Sequence, residues 1–130
     1  MKSYRDLIVW QKAIELVIEV YRATRAFPTT ELYGLTSQMQ RASVSIPSNI
    51  AEGHALQRTN AYRRHLAIAS GSLAGLETQL EISSRLGFLS TPDRQLIHRA
   101  NEIGRMLSAL RKRIPKSNSR IANLERIPGT

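Results

Sequence analysis

The chain contains no cysteine, which excludes a disulfide framework, a thiolate metal site and a cysteine nucleophile. No stretch approaches the ~18 uninterrupted apolar residues of a membrane span. The amino-terminal MKSYRDLIVWQKAIELVIEV is amphipathic and carries acids where a secretory signal would have an apolar run. A cytoplasmic protein with no membrane partner is therefore expected. Histidine is equally sparse: His54, His65 and His98 are scattered, and neither His-Glu-x-x-His, Glu-x-x-His nor a glycine-rich phosphate loop occurs. His98 and Glu102 share a helix face, as do Glu77 and Glu81, but two ligands are too few for a dedicated metal site. No enzyme activity, metal or cofactor is expected. Aromatics make up 5% of the chain (Tyr4, Trp10, Tyr21, Phe27, Tyr33, Tyr62 and Phe88) and most fall on apolar helical stripes. Too few remain for a base-stacking platform of the single-strand type.

What is abundant is positive charge. The 130 residues, enough for one domain with a modest core, carry 19 Lys plus Arg against 10 Asp plus Glu, a net charge of +9. Only Lys2, Lys12, Lys112 and Lys116 are lysines, and the other basic residues are arginines, whose planar donor fork suits phosphate and carboxylate. The charge is uneven, since residues 111–130 hold six basic groups against the single acid Glu125. An anionic partner is expected.

Apolar spacing predicts four helices and no strand. From Asp6 to Phe27, Leu7, Trp10, Ile14, Val17 and Tyr21 recur every three or four residues, with Ala13, Leu16 and Val20 widening the stripe. Asp6 is the expected N-cap, Phe27-Pro28 the stop, and Thr29 or Thr30 a cap for the next helical turn. The second helix runs from Leu35 to Gly53, with Leu35, Met39, Ala42, Ile46 and Ile50 in register. A kink is expected at Pro47, softened by Ser43 bonding a freed carbonyl, and Gly53 is the expected terminator. The third, Thr59 to Leu86, carries Tyr62, Leu66, Ala69, Leu73, Leu76, Leu80 and Ser83 in heptad alternation and ends at Gly87. The fourth opens on Thr91 as N-cap with Pro92 in its first turn, carries Leu96, Ala100, Ile103, Leu107, Leu110 and Ile114, and stops at Pro115. The expected fold is all-α: an antiparallel up-and-down four-helix bundle over residues 1–114, followed by a disordered, flexible basic C-terminal tail over 115–130.

The block LYGLTSQMQRASVSIPSNIAEG (Leu32 to Gly53), with DLIVWQKA (Asp6 to Ala13) before it, resembles the 23S rRNA-intervening sequence proteins. LAIASGSLAGLETQLEI (Leu66 to Ile82) and EIGRMLSAL (Glu102 to Leu110) extend the resemblance over roughly residues 5–114. It implies a small bacterial four-helix bundle that assembles as a homopentamer. It also implies kinship with bundles that serve as nucleic-acid-binding accessories to reverse transcriptases. The sequence departs from the family pattern at His54-Ala55-Leu56-Gln57-Arg58, where a Gly/Arg-rich stretch is usual, and at Gly75, where a glutamate is common; Glu77 is kept.

Two groups of side chains are candidates for function. Gln38, Arg41, Ser45, Asn49 and Glu52 share one polar face of the second helix, and read either as a ligand groove or as a hydrogen-bond network that fixes register. The basic candidates for nucleic-acid binding are Arg58, Arg63, Arg64, Arg94, Arg105, Arg111, Lys112 and Arg113. Arg58, Arg63 and Arg64 crowd a helix N-terminus, where the helix dipole disfavours cations. Arg111, Lys112 and Arg113 sit at a C-terminus, where it favours them, and Arg94, His98, Arg105 and Lys112 line one face of that helix. The reading is a homo-oligomer that contacts phosphates of structured RNA, or less readily DNA duplex, with weak sequence preference. The alternative is an interaction module whose basic surface docks an acidic protein such as a reverse transcriptase. The apolar residues Ile8, Val9, Ile18, Ile68 and Ile82, surplus to a single seam, and the small pair Gly71 and Gly75 are the expected subunit contacts.

Overall fold

The computed structural model describes residues 3–121. Four α-helices form it: α1 (Ile8–Thr24), α2 (Ser37–Ala55), α3 (Thr59–Arg85) and α4 (Gln95–Arg113), and no strand occurs among the described residues. The described residues contain no helix long and apolar enough to cross a membrane. Each helix packs on its sequence neighbours, and α1 closes the ring against α4. Cross-helix contacts run in opposite chain directions. On α2 and α3, Met39 meets Ser83, Ser45 meets Ser72, and Asn49 meets His65. On α1 and α4, Lys12 bonds Glu102 at 2.9 Å. That hydrogen bond raises the Lys12 pKa and lowers that of Glu102, and solvent around both groups keeps its effect on stability small.

The heptads of α3 and α4 are buried as read: Tyr62, Leu66, Ala69, Leu73, Leu76, Leu80 and Ser83 face Leu96, Ala100, Ile103, Leu107 and Leu110 in one core. On α1 the register differs from the expectation. Val9, Ala13, Leu16, Val20 and Ala23 are buried, whereas Ile14 and Tyr21 are exposed and Trp10 and Val17 only half-buried. The apolar band of α1 is wider than one core face. Small Ala13 and Ala23 let the Leu16 side approach α2 and α4, and this displaces the bulkier side chains to the rim. Val9, expected at a subunit contact, is therefore part of the core.

Helix ends follow local chemistry more closely than the sequence reading allowed. Asp6 does not cap α1; it closes a capping box with Ser3 around the 3-10 turn Tyr4–Asp6. Ser90, rather than Thr91, caps the turn before α4, its hydroxyl accepting from the Asp93 N–H. Between α1 and α2, the Glu31 carboxylate accepts the Leu35 N–H, so neither Thr29 nor Thr30 is the cap. Gly87, at φ +78°, ends α3, with the Phe88 N–H bonding the Ser83 carbonyl and Phe88 packing on Phe27. This is the Schellman arrangement, in which glycine takes the left-handed position without a Cβ penalty. Helix α2 continues through Pro47. The Ser43 hydroxyl donates to the Gln40 carbonyl, one turn back, and not to a carbonyl freed by the proline.

Gly53 is the position that matters most. It does not terminate α2; it is buried inside the helix, and a Cβ there would lie 2.7 Å from the His65 Cβ and 3.3 Å from the Tyr62 Cα. The glycine brings the backbones of α2 and α3 together at the end where they join. Tyr62 fills the space beside it, with its ring edge-on to His54 at 5.6 Å. Burial pushes the Tyr62 phenol well above its ordinary range, and its hydroxyl makes no hydrogen bond.

Within the expected tail, Ser117, Ser119 and Ile121 are held against the bundle: Thr59 bonds the backbone of Ser117 and Ser119, and Ile121 is 1% exposed with its N–H bonding the Gln57 carbonyl at 3.1 Å. Residues 122–130 of the expected tail lie outside the described residues.

Two stability outcomes are expected from these contacts. Gly53→Ala lowers the free energy of unfolding by about 1–3 kcal/mol despite alanine's better helix propensity, because overpacking at this contact outweighs it. Tyr62→Phe leaves stability unchanged or raises it, since removing a buried hydroxyl without a partner loses no hydrogen bond. Urea denaturation of both variants checks the two signs.

Candidate functional site

The basic candidates separate into those the fold gathers and those it disperses. The C-terminal turns of α4 lie against the N-terminal turns of α3, and further along the same pair Gly104 of α4 lies beside Leu73 of α3, so the two helices run in opposite directions. Asn60, Arg63, Arg64 and Ala67 from α3 and Ser108, Arg111 and Lys112 from α4 together line an open groove of about 650 Å³. Arg64, Arg111 and Lys112 are exposed and Arg63 half-buried, its stem against the helices. No acidic side chain among the described residues lines the groove. No carboxylate among the described residues forms a salt bridge with any of these four cations. Asn60 and Ser108 add neutral hydrogen-bonding groups between them. Four like charges crowded into one concavity raise the local potential and attract a mobile anion. The N-terminal end of the α3 dipole adds to that potential.

The remaining basic candidates are placed elsewhere. Arg94 lies in the turn before α4, about 25 Å along the axis from Arg111 at ~1.5 Å per residue. Arg105 is exposed on the same face as Lys112, but its charge acts on Glu102, which interrupts the stripe. Glu102 thus places a carboxylate on the face that Arg94, His98, Arg105 and Lys112 share. Arg113 does not line the groove and is engaged within the chain. Arg58 stands at the N-cap of α3, next to the groove.

The polar face of α2 resolves into a network across the α2–α3 seam. The Asn49 amide donates to the Ser45 carbonyl at 2.9 Å and the Ser45 hydroxyl at 3.0 Å, leaving its carbonyl oxygen to accept from His65 Nδ1 at 2.9 Å. The Ser45 and Ser72 hydroxyls share a further hydrogen bond at 2.7 Å across the seam. Glu52 stands 3.6 Å from the same His65 nitrogen. The two acceptors assign the proton to Nδ1. Gln38 and Arg41 are exposed and make no hydrogen bond or ion pair to this network. Of the two readings of this face, the register-fixing network describes Ser45, Asn49 and Glu52, and Gln38 and Arg41 stand outside it. His65 and Ser72 complete the network although the sequence did not single them out. Their signal was only their place on α3 opposite the polar residues of α2, which requires the pairing register to be known.

Comparison with known protein families decides the lineage, because the sequence pattern of the 23S rRNA-intervening sequence proteins matches residues 5–109. The chain belongs to that family. The match covers α1 to α3 and most of α4, so the intervening sequence protein core includes the seam network, Gly53 and most of the residues that line the groove. It stops before Arg111 and Lys112, the α4 contribution to the groove's charge. No curated protein matches the chain.

The seam network carries a measurable coupling. In a double-mutant cycle of Asn49→Ala and His65→Ala, we expect a coupling free energy of about 0.5–1.5 kcal/mol. Strict additivity in urea denaturation would show that the Asn49–His65 bond does not contribute to the seam.

Proposed function

We propose that this intervening sequence protein is a non-enzymatic homo-oligomer that binds structured nucleic acid, RNA in preference to DNA, through the groove between α3 and α4. The observation that carries the reading is the set of four cations from two helices in a groove that no carboxylate of the described residues lines. Arg63 and Arg64 sit where the helix dipole makes a cation unfavourable. Their cost is offset when phosphates occupy the groove. The arginine fork binds phosphate oxygens in a bidentate manner, and the few aromatics are mostly committed to packing, as with Tyr62 in the core, Phe27 on Phe88 and Trp10 on Tyr4. Backbone recognition of a folded nucleic acid fits these groups better than base stacking.

Assembly is supported by the apolar surface that the single chain leaves uncovered. On α1, Ile18 is 53% exposed and lies beside Ile14 and Tyr21. A shallow apolar depression between α1 and α2, lined by Trp10, Ile14, Val17, Val44 and Pro47, continues that surface. On α3, Ile68, Gly71, Gly75, Thr78 and Ile82 fall on one stripe, and nothing within 4 Å would meet a Cβ at either glycine. Patches of this kind mark interfaces, and self-association in a closed ring covers them. The family resemblance suggests five copies.

An electrophoretic shift assay with an RNA hairpin, a DNA duplex and an acidic polypeptide competitor tests the binding. The hairpin is expected to bind most tightly, with affinity falling steeply as salt rises, and Arg64→Gln with Arg111→Gln to lower the slope of log K against log salt by about two. Affinity unchanged between low and high salt, or equal competition by the acidic polypeptide, sinks the reading in favour of an acidic protein partner. Light scattering tests the assembly: the parent chain is expected as an oligomer and Ile18→Glu as a smaller species, and a monomeric parent contradicts it.

A further inference from the structure

Beyond α4 the chain turns back on the bundle. Pro115 stops the helix, and Ser117–Ile121 return as a strap over the corner between α2 and α3. Thr59, wholly buried at the start of α3, holds the strap with three hydrogen bonds. Its N–H donates to the Ser119 carbonyl at 2.9 Å, its hydroxyl donates to the Ser117 carbonyl at 2.7 Å, and the same hydroxyl accepts from the Ser119 N–H at 2.9 Å. Ile121 plugs the corner, bonded to the carbonyl of Gln57, which is held at φ +58° in the left-handed region that non-glycine residues rarely take.

The latch has a specific electrostatic result. Arg58 and Arg120 form an isolated antiparallel bridge, and directly opposed residues in such a pair project from the same face. Two exposed guanidinium groups are thus set opposite each other, an arrangement that destabilises a pair unless something compensates it. No carboxylate pairs with either among the described residues. Arg58 precedes Arg63 by about 8 Å along α3, at ~1.5 Å per residue. The opposed pair therefore stands at the end of α3 from which the groove begins, two residues before its lining residue Asn60.

We propose that the strap is a working part of the anion site: latched by Thr59, it brings Arg120 to Arg58 to make a second phosphate-binding position next to the groove. The ligand class is a polyphosphodiester backbone that contacts both positions, so this inference rests on the nucleic-acid reading above. Buried Thr59 and Ile121 stabilise the strap and offset the repulsion that the two arginines introduce.

The test measures binding of a fluorescein-labelled RNA hairpin over a range of salt concentrations. Arg120→Gln, an exposed substitution that leaves the latch intact, is expected to weaken binding about threefold to tenfold and to lower the salt slope by about one. Thr59→Val is expected to weaken binding by a similar factor, and the double variant to bind no worse than the weaker single variant. If Thr59→Val does not melt cooperatively, Ile121→Ala releases the strap in its place. Unchanged affinity and slope for Arg120→Gln overturn the proposal, and so do additive losses in the double variant, which would mean that Arg120 acts without the latch. Arg64→Gln with Arg111→Gln separates the two levels. If that variant loses binding while Arg120→Gln does not, only the strap proposal fails. If neither loses binding, the nucleic-acid reading fails with it.

Discussion

The rest of the structure depends on the close approach of α2 and α3 at Gly53. Without a side chain there, the two backbones come near enough for Tyr62 and His54 to pack edge to face and for Thr59 to be buried at the first position of α3. The short connection through Leu56, Gln57 and Arg58 is pinned at that corner. From it, α3 departs with a fixed direction and register, and the Asn49, Ser45, His65 and Ser72 network holds that register along the seam. Apolar packing alone tolerates small slips, whereas a polar chain with each donor matched to an acceptor does not. The basic groove is a downstream consequence, since it exists only where the start of α3 lies against the end of α4.

The positive charge thereby acquires a spatial meaning. Among the described residues, Lys12 pairs with Glu102 of α4, and Arg22 and Arg85 pair with carboxylates of their own helices. Arg5 lies over the rings of Tyr4 and Trp10, a cation–π contact that buries part of its stem. Arg58, Arg63, Arg64, Arg111, Lys112 and Arg120 gather at one end of the bundle, where α3 begins, α4 ends and the strap crosses, while Arg25, Arg41, Arg94, Arg99 and Arg105 lie elsewhere. Along the flank of the bundle, Ile14, Ile18 and Tyr21 of α1 and Ile68 and Ile82 of α3 are exposed apolar residues. A molecule with one basic end and an apolar flank can associate through the flank and present the basic ends together, which multiplies the number of phosphates contacted by one assembly.

Much of this was legible in the sequence, for reasons that differ by element. The heptads of α3 and α4 read correctly because their leucines and alanines recur strictly every three or four residues, and that repeat is the face the core buries. On α1 the apolar band spans more than one face, and only the positions of α2 and α4 decide that Leu16 points inward and Ile14 outward. Gly53 looked like a stop signal because glycine ends many helices; its role as a contact point depends on His65 and Tyr62, residues of another helix. The strap was hidden because Ile121 is a lone apolar residue in a polar segment, and the hydroxyl that holds the strap, Thr59, is some sixty residues away in the chain. The arginines of the groove were each identifiable, but their convergence was not, since the two clusters belong to distant segments that only the antiparallel packing of α3 and α4 unites. Arg94 shows the converse: it shares a sequence pattern with Lys112, yet the length of α4 separates them.

The most direct test of the account is to observe where a nucleic acid touches the protein. In a nuclear magnetic resonance titration of the isotope-labelled chain with an RNA hairpin, the largest amide and arginine side-chain shifts should fall at Asn60–Ala67 and Ser108–Lys112 and should vanish as salt is raised. Shifts confined to the apolar faces of α1 and α3, or no salt-sensitive shifts at the groove, would contradict it.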